Sequence, residues 1–156
     1  MIAAYEQLQS EIDRLFGAVA RADIPNPVRI VFTRCPHPYG GDQELITAVR
    51  TDRILEMTAS VASAPRMHPL LGCEFGGGFD RFRAIHDLIG HVEPEFGFDL
   101  GGEVAAWLTQ DRLHTRLARR ALATEIVGVN SARWSTGEAP ELKAMLFDRK
   151  FCPGRT

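Results

Sequence analysis

The chain has 156 residues, of which 45% are hydrophobic and 24% are charged, and its formal net charge is −2. This length predicts a single domain, and this composition excludes a disordered chain. The small net charge argues against nucleic acid or an anionic membrane surface as a partner. Every apolar run is far shorter than the roughly 20 residues of a membrane-spanning helix. Acidic residues stand where a signal peptide has its apolar stretch, so we expect a cytoplasmic protein.

The N-terminal segment predicts an amphipathic helix. Apolar residues recur at helical spacing between polar ones over residues 3–22, and the two prolines within residues 24–27 end the pattern. We therefore expect one face of this helix to lie against the core.

Two short runs rich in β-branched residues, 28–33 and 54–58, predict strands. Between them, Asp42 is a suitable N-cap for a helix with three apolar residues on one face. A strand, a helix and a second strand in this order are typical of a small βαβ unit or a hairpin-like sheet edge.

The remaining chain predicts mainly helix. Residues 59–78 are rich in alanine, proline and glycine, which indicates an irregular connection. We expect a helix over 79–90, a loop over 92–102, and one broken helix or two helices over 103–134. The sequence thus predicts a single compact α+β domain with a two- or three-stranded sheet near its N-terminal half. Its two parts are a helix and small sheet over 1–60 and a helical part over 79–150.

Two histidines in the predicted third helix point to a metal site. His86 and His91 are five residues apart. On a regular α-helix that step is about 500°, which leaves the two rings on different faces, whereas a four-residue step brings them together. Gly90 directly precedes His91 and can end or distort the helix. We therefore expect His91 to turn back toward His86 and both to bind a metal.

A third ligand must come from an acidic residue further along the chain. Glu125 lies in an otherwise apolar helical stretch, where a carboxylate is costly to bury unless it is paired or bound to metal. Glu103 also lies beside apolar residues, but near a helix start, where the helix dipole alone explains a carboxylate. We rank Glu125 first and Glu103 second, and whether Glu103 joins the ligands stays open.

These residues resemble the aromatic amino acid hydroxylases, which are mononuclear non-haem iron monooxygenases. The segment His86-Asp-Leu-Ile-Gly-His91-Val92 resembles their H-E-x-x-G-H-V motif, with aspartate in place of the glutamate, and Thr124-Glu-Ile-Val-Gly128 resembles the segment of their third ligand. The resemblance implies that His86, His91 and Glu125 form a two-histidine, one-carboxylate triad holding Fe(II). A longer stretch also resembles an uncharacterised domain of phage and mobile-element polyproteins, which names no reaction.

The resemblance implies a dioxygen-using hydroxylase or oxygenase that acts on a small substrate, such as an aromatic amino acid. Fe(II) is the expected metal, with zinc and manganese as alternatives. The source of reducing electrons stays open, because no pterin-binding segment is recognisable. We expect a small-molecule substrate and dioxygen as the partners, and the oligomeric state stays open.

Further polar residues are candidates for catalytic roles beside the metal. Asp87 and Asn130 are expected to orient a ligand imidazole or a bound water. Arg83 is a candidate to hold a substrate carboxylate or a structural acid. Glu103 completes this set of catalytic candidates.

Two alternatives compete with the oxygenase hypothesis. The His86-Asp87 doublet is also typical of HD-type metal-dependent phosphohydrolases, in which His68 and Asp111 would have to supply the other ligands. In the second alternative the chain is a non-catalytic interaction module, and its histidines only connect helices.

Overall fold

The computed structural model describes residues 1–23, 25–62, 68, 70–138 and 145–146. Helix α1, Ile2–Ala20, packs against two later helices of the chain. Its buried face carries Tyr5, Leu8 and Ile12, each at most 1% exposed. The prediction of an amphipathic helix over 3–22 is confirmed, with ends shifted by one or two residues.

A parallel two-stranded sheet follows α1. Strand β1, Arg29–Thr33, pairs with strand β2, Ile54–Thr58, and helix α2, Asp42–Asp52, connects them. This is a βαβ unit. Asp42 is the first residue of α2 rather than its N-cap, which is Gly41. The predicted cap is therefore wrong by one residue.

The predicted third helix has two parts. Helix α3, Gly78–Ile85, continues without interruption into a π-helical segment, His86–Val92. The chain then turns through residues 93–99 into helix α4, Leu100–Asp111. Of the two expected outcomes at Gly90, an end or a distortion of the helix, the structure contains a distortion: the α-helix widens into a π-helix that begins at His86 and includes Gly90.

The described chain from residue 100 to residue 136 is mainly helical, as predicted, and residues 139–144 and 147–150 of the predicted helical part lie outside the described residues. Helix α5, Arg116–Ala123, continues through a second π segment, Thr124–Gly128, into helix α6, Val129–Thr136. The break between α4 and α5 falls at residues 112–115.

The predicted fold class is confirmed: the protein is a mainly helical α+β domain with a two-stranded parallel sheet. In the predicted irregular connection, a short 3₁₀ turn spans Ser60–Ala62, and residues 63–67 and 69 lie outside the described residues. Within the described part of the chain, each helix is too short or too polar to cross a bilayer.

Candidate metal centre

Three side chains converge where the first π segment packs against α4. His86 Nε2 lies 3.1 Å from His91 Nε2 and 3.1 Å from Glu103 Oε2, and His91 Nε2 lies 3.6 Å from Glu103 Oε2. His91 is fully buried, while the side chains of His86 and Glu103 keep 12% and 11% of their surface exposed. The cluster can therefore be reached from solvent on the side of His86 and Glu103.

The spacing of these three atoms suits a metal ion. The circle through them has a radius of about 1.9 Å, slightly less than a usual metal–nitrogen distance of about 2.1 Å. An ion at about 2.1 Å from all three atoms would lie about 0.9 Å out of their plane. All three ligands would then occupy one face of the ion, so this His-His-Glu cluster could hold a metal ion with its opposite face open.

The π-helix explains how two histidines five residues apart lie on the same face of one helix. In a π-helix, backbone hydrogen bonds join residues five apart rather than four, so residues i and i+5 lie on the same face. His86 and His91 are the first and sixth residues of the segment, and their rings meet edge to face with centroids 4.7 Å apart. The five-residue step therefore places both histidines on one face without ending the helix.

The absence of a side chain at Gly90 lets α4 pack closely against the π segment. A Cβ built on Gly90 would lie 2.7 Å from Gln110 Nε2 and 2.9 Å from Ala106 Cβ, both on α4. Any side chain there would push α4 away from the π segment. Because Glu103 is also on α4, Gly90 permits the approach that brings the carboxylate to the histidines.

The start of α4 orients Glu103. The Asp99 carboxylate caps the helix by accepting a hydrogen bond from the backbone N–H of Gly102 at 2.7 Å. Glu103 lies in the first helical turn and is only 8% exposed. Its position near a helix start is thus as predicted, but the carboxylate faces two histidines.

The contacts within the cluster lower the pKa of Glu103 and raise the pKa of His91. Burial alone would raise the pKa of Glu103, but hydrogen bonds from His86 and His91 and the charges on these rings outweigh burial and lower it to about 2. Burial would lower the pKa of His91, but the hydrogen bond to Glu103 and its charge raise it instead. Glu103 is therefore ionised at neutral pH, as a metal ligand must be.

A backbone carbonyl orients the second histidine. His91 Nδ1 lies 3.1 Å from the carbonyl oxygen of Phe96, which can only accept a hydrogen bond. The neutral ring of His91 therefore carries its proton on Nδ1 and points the lone pair of Nε2 into the cluster, whereas the protonated ring also presents an N–H to Glu103. The neutral form is the usual arrangement of a histidine that binds metal through Nε2.

Glu125 does not belong to the cluster, so ranking it as the first candidate for the third ligand needs correction. Its Oε1 accepts a hydrogen bond from the Tyr5 hydroxyl at 2.6 Å and lies 3.1 Å from His68 Nε2. His68 Nδ1 accepts from the backbone N–H groups of Leu70 and Leu71, so Nε2 is the ring nitrogen on the side of Glu125. The cost of burying this carboxylate is offset by the Tyr5 hydroxyl and by the nearby His68 ring instead of a metal.

The other predicted catalytic residues lie at different distances from the cluster. Asp87 is half-buried next to His86; burial raises its pKa, while the charges of His86 and Arg83 oppose that rise. Arg83 donates a hydrogen bond to the carbonyl of Thr58 at 2.8 Å. Asn130 donates to the carbonyl of Ile126, one turn back on its own helix. Asp87 and Arg83 therefore lie beside the cluster, and Asn130 makes a local helix contact.

The extra ligands of the phosphohydrolase alternative are engaged elsewhere. His68 contacts Glu125, and Asp111 lies 3.5 Å from Arg119. Neither residue belongs to the His-His-Glu cluster.

Sequence reasoning missed Gln110. This residue is fully buried, and its side-chain nitrogen lies 2.9 Å from His86 Nδ1. It follows Glu103 by seven residues, a step that keeps both on one face of a helix. A glutamine two helical turns after a candidate ligand was the signal in the sequence that could have identified it.

The chain was compared with protein-family models, with curated proteins and with solved structures, and it matches none of them.

Proposed function

We propose that this protein is a mononuclear non-haem iron oxidoreductase that uses dioxygen, with Fe(II) bound by His86, His91 and Glu103. The observation that carries the proposal is that a single point can lie about 2.1 Å from both imidazole nitrogens and the carboxylate oxygen. Two neutral imidazoles and one carboxylate on one face are the ligand set of non-haem Fe(II) oxygenases.

The open face of such an ion supplies adjacent positions for dioxygen and a substrate. In a hydroxylation, one oxygen atom enters the substrate and the other leaves as water, with two electrons taken from an external reductant. Besides the ligands, the described polar groups at the cluster include Gln110 and the backbone carbonyl of Phe96, with Asp87 beside them, and an amide, a carbonyl or a carboxylate does not supply electrons to such a reaction. The reductant is therefore proposed to be a separate molecule.

The surroundings of the cluster favour a small substrate with an aromatic or apolar part. Phe82 stacks on the ring of His86, with centroids 6.3 Å apart. Phe98 meets the ring of His91 edge to face at 4.7 Å and is 37% exposed. Arg83, beside Asp87, is the proposed anchor for a substrate carboxylate. An amino-acid-like substrate would present both features.

Dioxygen consumption tests this proposal. The full chain is stripped of metal with a chelator and reloaded anaerobically with Fe(II) or, separately, with Zn(II). Oxygen uptake is then followed with ascorbate as reductant and each aromatic amino acid in turn. We expect uptake above the reductant-only rate in the iron-loaded protein, none with zinc, and loss of this uptake in Glu103→Gln.

Equal uptake by wild type and Glu103→Gln would overturn the proposal. A zinc-loaded protein that instead releases phosphate from a nucleotide or phosphoester without oxygen would favour the phosphohydrolase alternative. Failure of wild type to bind iron or zinc at all would favour an interaction module whose histidines connect helices.

A further inference from the structure

A cavity of about 490 Å³ lies between the C-terminal end of α1 and the start of β1. Its wall is mostly apolar and includes Phe16 and Ile30, together with Val19 and Val28, which are each only 5% exposed. Sites that bind small molecules usually measure about 300–1,000 Å³ and are lined mainly by apolar side chains. The residues that line this cavity include none of the three candidate metal ligands, so it is separate from the candidate metal centre.

Two arginines, Arg29 and Arg53, are the charged residues that line this cavity. The backbone N–H of Arg29 donates to the carbonyl oxygen of Arg53 at 2.9 Å, which holds the two residues side by side where the strands begin. Both residues are exposed, and within the described part of the chain neither guanidinium has a hydrogen-bond or ion-pair partner. An apolar cavity with two such cations is complementary to an anion that has an apolar body.

The backbone of Arg53 is a second sign of a ligand site. Arg53 directly follows α2 in the left-handed region, with φ 56°. Glycine is the usual residue in this position, because it has no Cβ to clash with the backbone. Ala22, which lines the same cavity, has φ 58°. Strained residues of this kind concentrate at sites that bind ligands, so a guanidinium held here in place of glycine indicates a use for its charge.

The cavity continues past its two buried valines. Val19, Val28 and Arg53 also line a second cavity of about 770 Å³, which reaches the π segment and α4. The apolar wall of this second cavity includes Leu88, Val92 and Leu113. A ligand that fills both cavities must therefore be long and apolar over most of its length.

The charges place the two ends of such a ligand. In the second cavity, Arg50 is already paired with Glu95, and Glu93 adds a further negative charge. In the first cavity, the lining residues include two arginines and no acid. An anionic end is therefore more stable in the first cavity, and an aliphatic chain extends from it into the second.

We propose that these two cavities, here called the arginine groove, bind an aliphatic carboxylate whose anionic end lies between the guanidinium groups of Arg29 and Arg53. Arginine binds a carboxylate through two parallel hydrogen bonds. The chain lies over Val19 and Val28 and gains affinity because it leaves water. This inference needs neither a metal nor dioxygen, so it is independent of the proposed function.

Isothermal titration calorimetry of the full chain with octanoate at pH 7 is the first test. We expect one octanoate per chain, and binding at least about tenfold weaker for octan-1-ol and for octyltrimethylammonium, which have the same chain without the carboxylate. Butanoate has the same anionic end and four methylene groups fewer, so it should also bind at least about tenfold more weakly. Absence of octanoate binding, or equal binding of octanoate and octan-1-ol, would overturn the inference.

Variants separate binding from stability. Arg53→Gly removes a guanidinium and suits the left-handed backbone, so octanoate should bind at least about tenfold more weakly while the urea midpoint of unfolding does not fall. Arg29→Gln removes the other guanidinium and should lower octanoate affinity by a similar factor. Arg133→Gln is the matched control, because it removes the same charge from an exposed residue of α6 that lines neither cavity, and it should not change affinity. Unchanged octanoate affinity in both Arg53→Gly and Arg29→Gln would overturn the inference.

Discussion

Glu103 and His86 are 17 residues apart in the chain, yet Glu103 Oε2 lies 3.1 Å from His86 Nε2. Two local features create this contact: a π-helical segment that places His86 and His91 on one face, and a glycine that lets α4 approach that segment. The candidate metal centre thus depends on backbone geometry as much as on its ligands.

The approach of α4 makes Gly90→Ala a sharp test of that geometry. The added Cβ would lie within 3 Å of Gln110 and Ala106, so α4 must shift. Overpacking of this kind typically costs about 1–3 kcal/mol, and we expect that loss in urea unfolding together with weaker zinc binding. Gly41→Ala is the control, because its Cβ would meet no atom within 4 Å. Equal stability and zinc affinity in Gly90→Ala and wild type would contradict the role assigned to Gly90.

Tyr5→Phe should lower stability without affecting metal. The substitution removes the hydroxyl that donates to Glu125 at 2.6 Å and leaves a buried carboxylate with one donor fewer. Such a loss costs about 1–3 kcal/mol in the free energy of unfolding. Tyr39→Phe is the matched control, because the Tyr39 hydroxyl accepts from a backbone N–H at an exposed position and should cost less. A drop in zinc affinity in Tyr5→Phe would instead connect Glu125 to the metal centre.

Acid should destabilise the metal-free protein partly through the contact between Glu11 and His114. Burial would raise the pKa of Glu11, but hydrogen bonds from Thr115, Gln7 and His114 lower it below its ordinary value of 4.5. Burial lowers the pKa of His114 below its ordinary value of 6.5, although Glu11 opposes this. Both groups bind protons more weakly when folded, so stability is lost as the pH falls below about 6.5 and further below about 4.5.

Glu11→Gln isolates the carboxylate's part of that dependence. Wild type should be the more stable at pH 7, where ionised Glu11 accepts from His114 at 2.8 Å and from the backbone N–H of Thr115 at 3.1 Å. The difference between the two proteins should shrink below about pH 4.5, as Glu11 becomes protonated. Urea unfolding of both proteins at several pH values measures it. A difference that stays constant down to pH 3 would show that folding does not lower the pKa of Glu11.

Metal should stabilise the whole fold. A ligand that binds only the folded state adds about 4 kcal/mol when its free concentration is a thousand times Kd. For a chain of this size that corresponds to a rise in Tm of about 8–16 °C. Differential scanning calorimetry with and without zinc checks the rise, which a chelator should reverse. An unchanged Tm in wild type at saturating zinc would contradict a site built from two separate helical elements.

The elements with simple periodicity could be predicted from the sequence. The spacing of apolar residues in α1 and the two β-branched runs each depend on local pattern, and the structure contains the corresponding helix and strands. The pairing of His86 with His91 was also expected from an end or a distortion of the helix at Gly90, and the distortion in the structure is a π-helix. A glycine inside a helix predicts an end or a bend more readily than a change to π-helix, because the sequence does not reveal that α4 packs on that glycine.

The choice between Glu103 and Glu125 could not be made from the sequence. Glu125 is a buried carboxylate with a partner, as expected, but that partner is Tyr5, 120 residues earlier in the chain. The sequence explained the carboxylate of Glu103 by the helix dipole at the start of α4. Only the packing of α4 against the π segment brings this carboxylate to the histidines. Both errors come from contacts between distant segments, which a local pattern does not contain.

The most direct measurement is the metal content of protein purified without oxygen and loaded with Fe(II), comparing wild type, Glu103→Gln and Glu125→Gln. Each variant replaces a buried carboxylate by an amide of the same shape, and iron, zinc, manganese and copper are all counted by mass spectrometry. We expect one iron per chain in wild type and in Glu125→Gln, and a sharp loss in Glu103→Gln. Full iron in Glu103→Gln with loss in Glu125→Gln would contradict the site and restore Glu125 as the third ligand.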